Sequence, residues 1–424
     1  MMTKKAVSIF GLGKVGTAMA VVAMRANYKV YGYDLDTAIS SKIGSGSYIS
    51  TEPFVQSELI RFKKRFIPCA TSQQAVNKTN LSILIVPTPS QIDGNFSYQY
   101  VLDAILEICN SLIKKQELIK GKIQHSIVIA STVSPETIRQ HLDPEMQQIV
   151  SKNIDVKVDL VYSPEFIALG NVVNNLEKPE FILIGTKNSE PVNSVLEYKL
   201  RVNKNKAKIH LTTWESAEIA KLTVNTFLTT KITYANMVSE LITRTKYARH
   251  DQVFSVLKDD SRIGVKFFTP GLGYGGPCLP RDNKALISFG NSKKLQTQLA
   301  VATDALNDMR ISQVNSAIAS FATGMKKILI LGVTYKSNTN SIEESQAYKI
   351  AKIISTYVPD VSIHDFNYDF HDFEAGVKTY RNNIPFETDF DGIICFLNDF
   401  RYIEYLKKVE KSKVYLAFDL TLDF

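Results

Sequence analysis

Cysteine is scarce in this chain, and so are the patterns that would indicate a metal centre, a disulfide framework or a membrane segment. The 424 residues include four scattered cysteines, with neither metal-ligand spacing nor the density of a disulfide-rich secreted protein. None of the six histidines lies in a recognisable catalytic motif, and no apolar run is long enough to cross a bilayer. The cysteines are Cys69, Cys109, Cys278 and Cys395. We therefore expect a cytoplasmic protein that binds no metal and enters no membrane.

The chain also lacks a concentrated charge of one sign. Its net charge is +8, and the basic residues are dispersed in short clusters that are typical of a solvated surface. We expect no nucleic-acid binding, although a modest positive charge equally suits an anionic small molecule such as a nucleotide. The apolar share of 45% and the charged share of 22% are those of a globular protein, and the length predicts two or three domains.

A dinucleotide-binding fingerprint opens the chain. Apolar runs at residues 6–10 and 29–33 predict two buried strands, with a helical pattern at residues 17–26 between them. The intervening glycines allow a tight turn, and the N–H groups of the helix terminus favour a pyrophosphate. An acid at the end of the second strand binds ribose hydroxyls, which favours NAD over NADP. The alternative is an ordinary tight turn with no ligand. The candidate cofactor-binding residues are Gly11, Gly13, Lys14, Val15, Gly16 and Asp34.

Further strands are predicted at residues 81–86, 126–130 and 157–162, and a strand at residues 181–185 is expected to close the sheet. Ligands of a doubly wound sheet bind at the carboxyl ends of its strands, so Thr88 and Thr132 are candidates for the cofactor site. The alternative is turn chemistry, because threonine and proline are common after any strand.

The predicted domain organisation follows from two changes of pattern. Residues 215–247 contain no glycine or proline and predict one long helix, suited to joining two domains and to dimerisation. From residue 327 a second strand–helix–strand alternation ends in an acid, Asp365, and repeats the opening unit. We therefore predict an α/β fold of two Rossmann-like, doubly wound domains joined by a long central helix and a helical middle region; the three parts are residues 1–210, 211–323 and 324–424.

A glycine-rich segment, residues 271–282, carries a single cysteine, Cys278. Glycine lets the backbone approach a ligand closely, and a nearby cation such as Arg281 favours the nucleophilic thiolate. A thiol beside a nicotinamide suggests capture of an aldehyde as a thiohemiacetal and its oxidation to a thioester. The alternative is a small buried side chain in a turn.

Lys221 and Asn225 are four residues apart on the predicted long helix and therefore lie on one face of it. A lysine and an asparagine that face a substrate can stabilise a developing oxyanion. The alternative is an exposed lysine with a polar neighbour on a solvated helix face.

In the order of these motifs the chain resembles the UDP-glucose/GDP-mannose dehydrogenase family, the nucleotide-sugar 6-dehydrogenases, over essentially its full length. The resemblance rests on the features above and on three further motifs, Ser163-Pro164-Glu165-Phe166, Ser261-Arg262-Ile263-Gly264 and Gly332-Val333-Thr334-Tyr335-Lys336. It implies a four-electron oxidation of a sugar C6 alcohol to a carboxylate, with two NAD molecules used in turn. It also implies that residues 1–210 bind NAD, residues 211–323 form the dimer and residues 324–424 bind the nucleotide.

The resemblance further implies catalytic roles. Asp282 and a water held by Thr132 would assist removal of the first proton, and Cys278 would add to the aldehyde. Glu165 would activate the water that hydrolyses the thioester, unless it is merely a structural acid near a strand end. The helix lysine and asparagine would stabilise the oxyanions; the implied catalytic residues are Cys278, Lys221, Asn225, Asp282, Glu165 and Thr132.

Substrate contacts are implied by the same resemblance. Gly275 would lie beneath the sugar with Phe267 near it, and Lys336 would lie at the nucleotide end. Arg262 would reach the substrate of a neighbouring subunit, so that a homodimer is the functional form. The implied substrate-binding residues are Phe166, Arg262, Phe267, Gly275 and Lys336.

Two positions depart from the family pattern. Leu169 stands where a second acid often follows Glu165, and Glu343 stands where an arginine that approaches the cofactor phosphates is usual. We expect weaker or differently arranged NAD binding from the second departure. The leading hypothesis is an NAD-dependent dehydrogenase of UDP-glucose or a UDP-N-acetylhexosamine that supplies polysaccharide synthesis. Oxidation of GDP-mannose, a non-catalytic nucleotide-sugar-binding protein, and a two-electron hydroxyacid dehydrogenase are the alternatives.

Overall fold

The computed structural model describes residues 5–370 and 377–421. The chain divides into two compact units, Met1–Leu222 and Thr223–Phe424. The predicted division into three parts differs in its boundaries and stays a prediction. No helix in the described ranges is both long and apolar enough to span a membrane.

The first unit contains a sheet whose strands are ordered β3-β2-β1-β4-β5-β6-β7-β8. Chain direction from β1 leads outward to β3 on one side and, after a crossover, to β4 and β5 on the other. The β1/β4 boundary is therefore the topological switch point at which doubly wound sheets bind ligands. The strands are β1 Ala6–Phe10, β2 Lys29–Tyr33, β3 Phe66–Cys69, β4 Leu81–Leu84, β5 Ile123–Ile129, β6 Val156–Tyr162, β7 Phe181–Thr186 and β8 Lys208–Thr213.

Helices cover both faces of this sheet, as the apolar character of its central strands requires. One core contains Val7 and Ile9 of β1, and the opposite core contains Phe10. The helices are α1 Lys14–Arg25, α2 Thr37–Ser45, α3 Val55–Arg61, α4 Ser72–Asn77, α5 Gln99–Ile119, α6 Asp143–Val150, α7 Val172–Glu177 and α8 Asn193–Val202.

The predicted end of this sheet is wrong. The strand expected to close it, β7, pairs in antiparallel fashion with β6 through Tyr162 and Gly185. A further strand, β8, then pairs with β7 in parallel along its full length. Strand β8 is a short edge strand and is only partly buried. Its sequence, Lys-Ile-His-Leu-Thr-Thr, therefore lacks the apolar run from which a central strand is predicted.

The second unit begins within the long helix α9, Trp214–Thr243, which ends four residues before the predicted boundary. A parallel sheet in the order β11-β10-β9-β12-β13 follows the helices, so the predicted fold class is confirmed. The remaining elements are α10 His250–Asp259, α11 Leu279–Ser292, α12 Gln298–Phe321, β9 Lys327–Leu331, α13 Gln346–Ile354, β10 Asp360–His364, β11 Lys378–Tyr380, β12 Gly392–Cys395, α14 Phe400–Leu406 and β13 Val414–Leu416.

The turn after β1 in the first sheet and the turn after β9 in the second sheet have the same hydrogen-bond pattern. Gly11 has a φ of 91° and donates its N–H to the carbonyl of Tyr33, and Gly332 has a φ of 84° and donates to the carbonyl of His364. In both cases the acid that follows the accepting residue receives the next N–H of the turn: Leu12 donates to Asp34, and Val333 donates to Asp365. The repeat predicted from the sequence therefore extends to individual hydrogen bonds.

Candidate active site

The glycine turn between β1 and α1 shows which glycines the fold itself requires. A Cβ on Gly11 or on Gly16 would lie within 3.0 Å of backbone atoms, of Ile85 and Gly11 respectively. A Cβ on Gly13 would meet no protein atom within 4 Å, and its φ of −67° is open to any residue. Packing does not explain this glycine. The open space beside it suits the pyrophosphate that the sequence predicts at the α1 N-terminus, near Lys14 and Val15.

Asp34 follows β2 and is held in place by the backbone. One carboxylate oxygen accepts the Leu12 N–H at 2.6 Å, and the other accepts the Asp36 N–H at 3.0 Å. Each oxygen keeps a further lone pair for a ribose hydroxyl. A fixed anion at this position repels a 2′-phosphate, so the residues present fit NAD.

The loops after β4 and β5 are tied together by Ser131. Its hydroxyl donates to the carbonyl of Val86 at 2.7 Å and accepts the Val86 N–H at 2.9 Å. This clamp brings the loop of Thr88, which is buried, beside the loop of Thr132, which is half-buried. Both threonines therefore lie at the switch-point edge of the sheet, where the sequence predicts them.

Lys221 is buried against the loop that follows β6. It is 6% exposed, donates to the Glu165 carbonyl at 2.8 Å, and its Nζ lies 4.4 Å from the centre of the Phe166 ring. A solvated lysine, the alternative considered from the sequence, is excluded by this burial. The side chain of Glu165 forms an ion pair with Lys199 of α8 at 2.7 Å.

The loop that follows β6 also contains Leu169 and is contacted by Glu52. Leu169, at the position of the usual second acid, packs against the core between the sheet and α1. An acid from another part of the chain lies next to it: the buried Glu52 carboxylate accepts the Gly170 N–H at 2.9 Å. The loop is thus fixed by an acid that the sequence motif does not contain.

Glu218, which the sequence reasoning missed, lies one turn before Lys221 on α9. It is completely buried, and its carboxylate accepts the N–H of Glu136 at 2.6 Å and that of Ile138 at 3.0 Å. Glu136 has a φ of 71°, a conformation that costs a non-glycine residue about 1–2 kcal/mol. Glu218 therefore holds a strained segment four residues after Thr132. The available indication in the sequence was a charged residue one turn from Lys221, the lysine that is predicted to be catalytic.

Glu218 gives a prediction about pH and stability. Burial raises the pKa of Glu218 from 4.5 to about 8, although its two N–H donors oppose the change. Between these values the folded state holds a proton that the unfolded state has released, so the stability contributed by Glu218 is fully present below about pH 4.5 and is lost as the pH rises through about 8. The slope contributed is at most about 1.4 kcal/mol per pH unit.

We expect Glu218→Gln to remove this slope. Urea unfolding at pH 5, 6.5 and 8 gives the free energy of unfolding of the wild type and of the variant. The wild-type value minus the variant value should decrease as the pH rises. Because the glutamine amide faces two N–H donors, the variant should also be less stable at pH 5, by about 1–3 kcal/mol. A difference that is constant with pH would contradict the assignment.

Cys278 lies immediately before the first residue of α11 and is exposed. A helix N-terminus favours a negative charge, so its position assists the thiolate. Exposure also excludes the buried side chain that was the alternative. Four residues on, Asp282 is buried and accepts the Asn225 Nδ2–H at 2.6 Å.

The glycines of the Cys278 loop are required by packing against protein, and their expected approach to a ligand stays a prediction. A Cβ on Gly275 would lie within 3.0 Å of the Glu344 carbonyl, and one on Gly276 would overlap the Tyr335 ring. Gly271 and Gly273 are restricted in the same way by Phe418 and by Asn307 and Gln346, respectively. The Gly276 N–H also donates to the Glu343 carbonyl at 3.0 Å. The loop is therefore anchored to the C-terminal α/β region.

The four cysteines should differ sharply in reactivity. Burial raises the pKa of Cys69 to about 11 and that of Cys109 and Cys395 to about 12, which leaves them as unreactive thiols. At pH 8 we expect one fast-reacting thiol per native chain and four after denaturation, measured with a chromogenic disulfide reagent. Cys278→Ser should remove the fast phase; its persistence in that variant would contradict the assignment.

The remaining predicted residues lie at the surface of the second unit. Arg262 donates to Asp260 at 2.6 Å with its side chain 87% exposed. Phe267 is exposed and has a φ of 60°, while the adjacent Phe268 packs in the core. Lys336 is exposed in the loop after β9, at the carboxyl edge of the second sheet. Among the described residues no group of three or more His, Cys, Asp or Glu side chains is arranged to hold a metal ion.

Two parts of the chain match domains of a known protein family. The NAD binding domain of the UDP-glucose/GDP-mannose dehydrogenase family matches residues 5–200, and the central domain of that family matches residues 215–309. The chain belongs to the UDP-glucose/GDP-mannose dehydrogenase family. It is therefore an NAD-dependent oxidoreductase of the nucleotide-sugar 6-dehydrogenase group, and the Gly13 and Asp34 geometry fits that cofactor.

Individual relatives carry different substrate names. A UDP-glucose 6-dehydrogenase of Haloferax volcanii is 26% identical over 361 residues, which are 84% of this chain and 82% of the relative. A GDP-mannose 6-dehydrogenase of Azotobacter vinelandii is 26% identical over 401 residues, which are 92% and 89%. The solved structure of a UDP-glucose dehydrogenase from Pyrobaculum islandicum has a TM-score of 0.85 and 25% identity, and covers 99% of this chain and 95% of that one.

Proposed function

We propose that this dehydrogenase oxidises the C6 alcohol of a UDP-sugar to the uronate through a covalent thioester on Cys278. UDP-glucose or a UDP-N-acetylhexosamine is the substrate, and the product enters polysaccharide synthesis in the cytoplasm. The observation that supports this most directly is an exposed cysteine at a helix N-terminus, four residues before a buried acid that is bonded to Asn225. A two-electron hydroxyacid dehydrogenase would have no use for such a thiol.

The first oxidation needs a group that removes the C6 hydroxyl proton. Asp282 is suited to this because it is buried and its orientation is fixed by Asn225. Thr132, held at the switch-point edge through the Ser131 clamp, would position the water that carries the proton away. The turn of Gly11, Gly13 and Gly16 would hold NAD, which would supply the hydride acceptor for each of the two oxidations.

The second half of the reaction is covalent. The Cys278 sulfur adds to the aldehyde carbon and the aldehyde oxygen takes a proton, which gives a thiohemiacetal. Loss of the C6 hydride and of that proton leaves a thioester. Glu165 then removes a proton from water as the water attacks, the C–S bond breaks, and the carboxylic acid and the Cys278 thiolate are released. The acid then gives its proton to solvent. Lys221 and Asn225 stabilise the charge on oxygen in the addition steps.

The substrate and the reaction are tested together by counting products. The purified protein is incubated with NAD and, separately, with UDP-glucose, UDP-N-acetylhexosamines and GDP-mannose. Two NADH per sugar with formation of uronate supports the proposal, one indicates a simple alcohol dehydrogenase, and none with measurable binding indicates a non-catalytic binder. GDP-mannose is kept as the second candidate, because the relative from Azotobacter vinelandii matches as well as the UDP-glucose enzyme does.

A homodimer is supported by an exposed apolar stripe on α9. Phe227, Tyr234 and Leu241 recur at every seventh residue and are 64%, 47% and 62% exposed in the single chain. Side chains at this spacing share one face of a helix, and contiguous exposed apolar faces mark interaction sites. Phe227→Asp with Leu241→Asp should shift the mass in light scattering from dimer to monomer. Arg262, which the resemblance assigns to the neighbouring site, would then lose its target.

Glu343 gives a prediction for cofactor binding. It is exposed, and it stands where the family usually has an arginine that approaches the cofactor phosphates. Glu343→Arg changes the charge by two units, so we expect the Kd for NAD to fall by about threefold to tenfold at low salt, with a smaller effect at high salt. Glu404→Arg, an exposed position on α14, is the matched control. Equal Kd values for the variant and the wild type would refute the expected effect.

A further inference from the structure

Glu165 has an ion-pair partner that no sequence motif contains. The Lys199 Nζ donates to Glu165 Oε1 at 2.7 Å, and the two side chains are only 7% and 16% exposed. Lys199 lies on α8, 34 residues further along the chain. Most surface ion pairs contribute little to stability, but removal of one partner of a buried pair leaves an uncompensated charge. This pair is therefore expected to control the charge of Glu165.

The surroundings of Glu165 contain few other charges. Lys221 contacts its main-chain carbonyl, and Tyr198 of α8 is the neighbouring titratable group. Burial raises the pKa of Tyr198 well above its usual value, and the negative charge of Glu165 raises it further. The other elements packed here contribute apolar side chains, among them Met19, Val22, Leu176 and Ile182. Lys199 is thus the cation that directly balances the carboxylate.

The substitution at Leu169 makes this partner more significant. Where relatives often carry a second acid, this chain has a partly buried leucine that packs against the core, so the loop after β6 has one acid in its motif. A general base needs an oriented carboxylate, and a cation 2.7 Å from it holds it in place. We propose that Lys199 is a positioning residue that keeps Glu165 oriented and ionised for thioester hydrolysis, a role that rests on the function proposed above.

Lys199→Met tests the proposal in the full-length enzyme. Without the cation, Glu165 takes up a proton more readily, so the acidic limb of the pH–kcat profile should move to higher pH. We expect kcat near pH 6.5 to fall about tenfold or more and to recover towards the wild-type value near pH 9. At low pH the variant should still release NADH in a rapid burst, while intact-protein mass spectrometry shows the sugar bound to Cys278.

Two comparisons separate charge from packing. Lys199→Arg keeps the cation and should retain the wild-type pH profile, with kcat within about threefold. Lys204→Met is the matched control, because it removes a nearby lysine that pairs with Glu177 at 2.6 Å and not with Glu165. Methionine is close to lysine in length and shape, so Lys199→Met removes the charge with little change in packing. If Lys199→Met does not fold, Lys199→Gln replaces it.

The outcomes are distinct. An unshifted pH profile in a folded Lys199→Met enzyme, with no covalent adduct, would overturn the role of Lys199 and leave the proposed function intact. Failure of both neutral variants to fold would show a structural ion pair and would also overturn it. A wild-type enzyme that yields no NADH from any nucleotide sugar would reject the proposed function, and this inference with it.

Discussion

Replacement of Cys278 by serine should abolish sustained formation of uronate. A serine hydroxyl at the same position is a far weaker nucleophile than a thiolate at neutral pH and forms an ester instead of a thioester. We expect kcat for uronate to fall by roughly three orders of magnitude or more, since the covalent route is lost. NADH absorbance together with mass-spectrometric detection of the uronate measures both halves of the reaction.

Cys69→Ser is the matched control for this experiment. It makes the same chemical change at a buried position where a hydroxyl can donate to the Ile67 carbonyl, as the thiol does at 3.6 Å. The control should retain wild-type stoichiometry of two NADH per sugar. Continued multiple turnover to uronate by Cys278→Ser would remove Cys278 from the mechanism and, with it, the main support for a four-electron reaction.

Lys221→Met should cause the second-largest loss. The ammonium group is buried between the Glu165 carbonyl and the Phe166 ring, where water does not screen its charge. Loss of one such stabilising group for an oxyanion lowers kcat by about 10²–10³-fold, and we expect that range here. KM for the nucleotide sugar should change much less, because the charge on oxygen develops in the transition state.

The split between kcat and KM decides between a catalytic and a purely structural lysine. Lys187→Met, which removes a half-exposed lysine paired with Asp143, should leave both constants near the wild-type values. Thermal melting of each variant shows whether the loop after β6 is still held. A Lys221→Met enzyme with unchanged kcat and raised KM would assign Lys221 to ground-state binding instead.

The strands were predictable where burial on both faces produces an uninterrupted apolar run. β1 and β2 have the predicted limits, and the central strands differ from them by a few residues at their ends. The edge strands of the first sheet, β3 and β8, were missed for physical reasons. β3 contains a proline in Phe-Ile-Pro-Cys, which is tolerated at an edge, and β8 is partly exposed and mixes polar with apolar residues. Periodicity alone cannot separate such segments from loops.

Some residues of the candidate site could be predicted from the sequence and others could not. Residues fixed by topology, such as Asp34, Thr88 and Thr132, could be placed because each follows a predicted strand. Residues that act through a distant partner could not. Glu218 binds N–H groups 80 and 82 residues away, and Lys199 reaches an acid on another loop, so neither contact leaves a local pattern. Their roles depend on which helix packs on which strand, and that is determined only by the folded chain.

The anchored glycines around Cys278 limit how such enzymes can be recombined. A chimera that exchanges the region after residue 324, which is predicted to bind the nucleotide, would also exchange Tyr335, Glu344 and Phe418, against which those glycines pack. A bulkier or displaced neighbour at any of these contacts would shift the thiol-bearing turn, since glycine has no side chain to yield. Successful grafts should therefore transfer residues 271–276 together with the C-terminal region as one cassette.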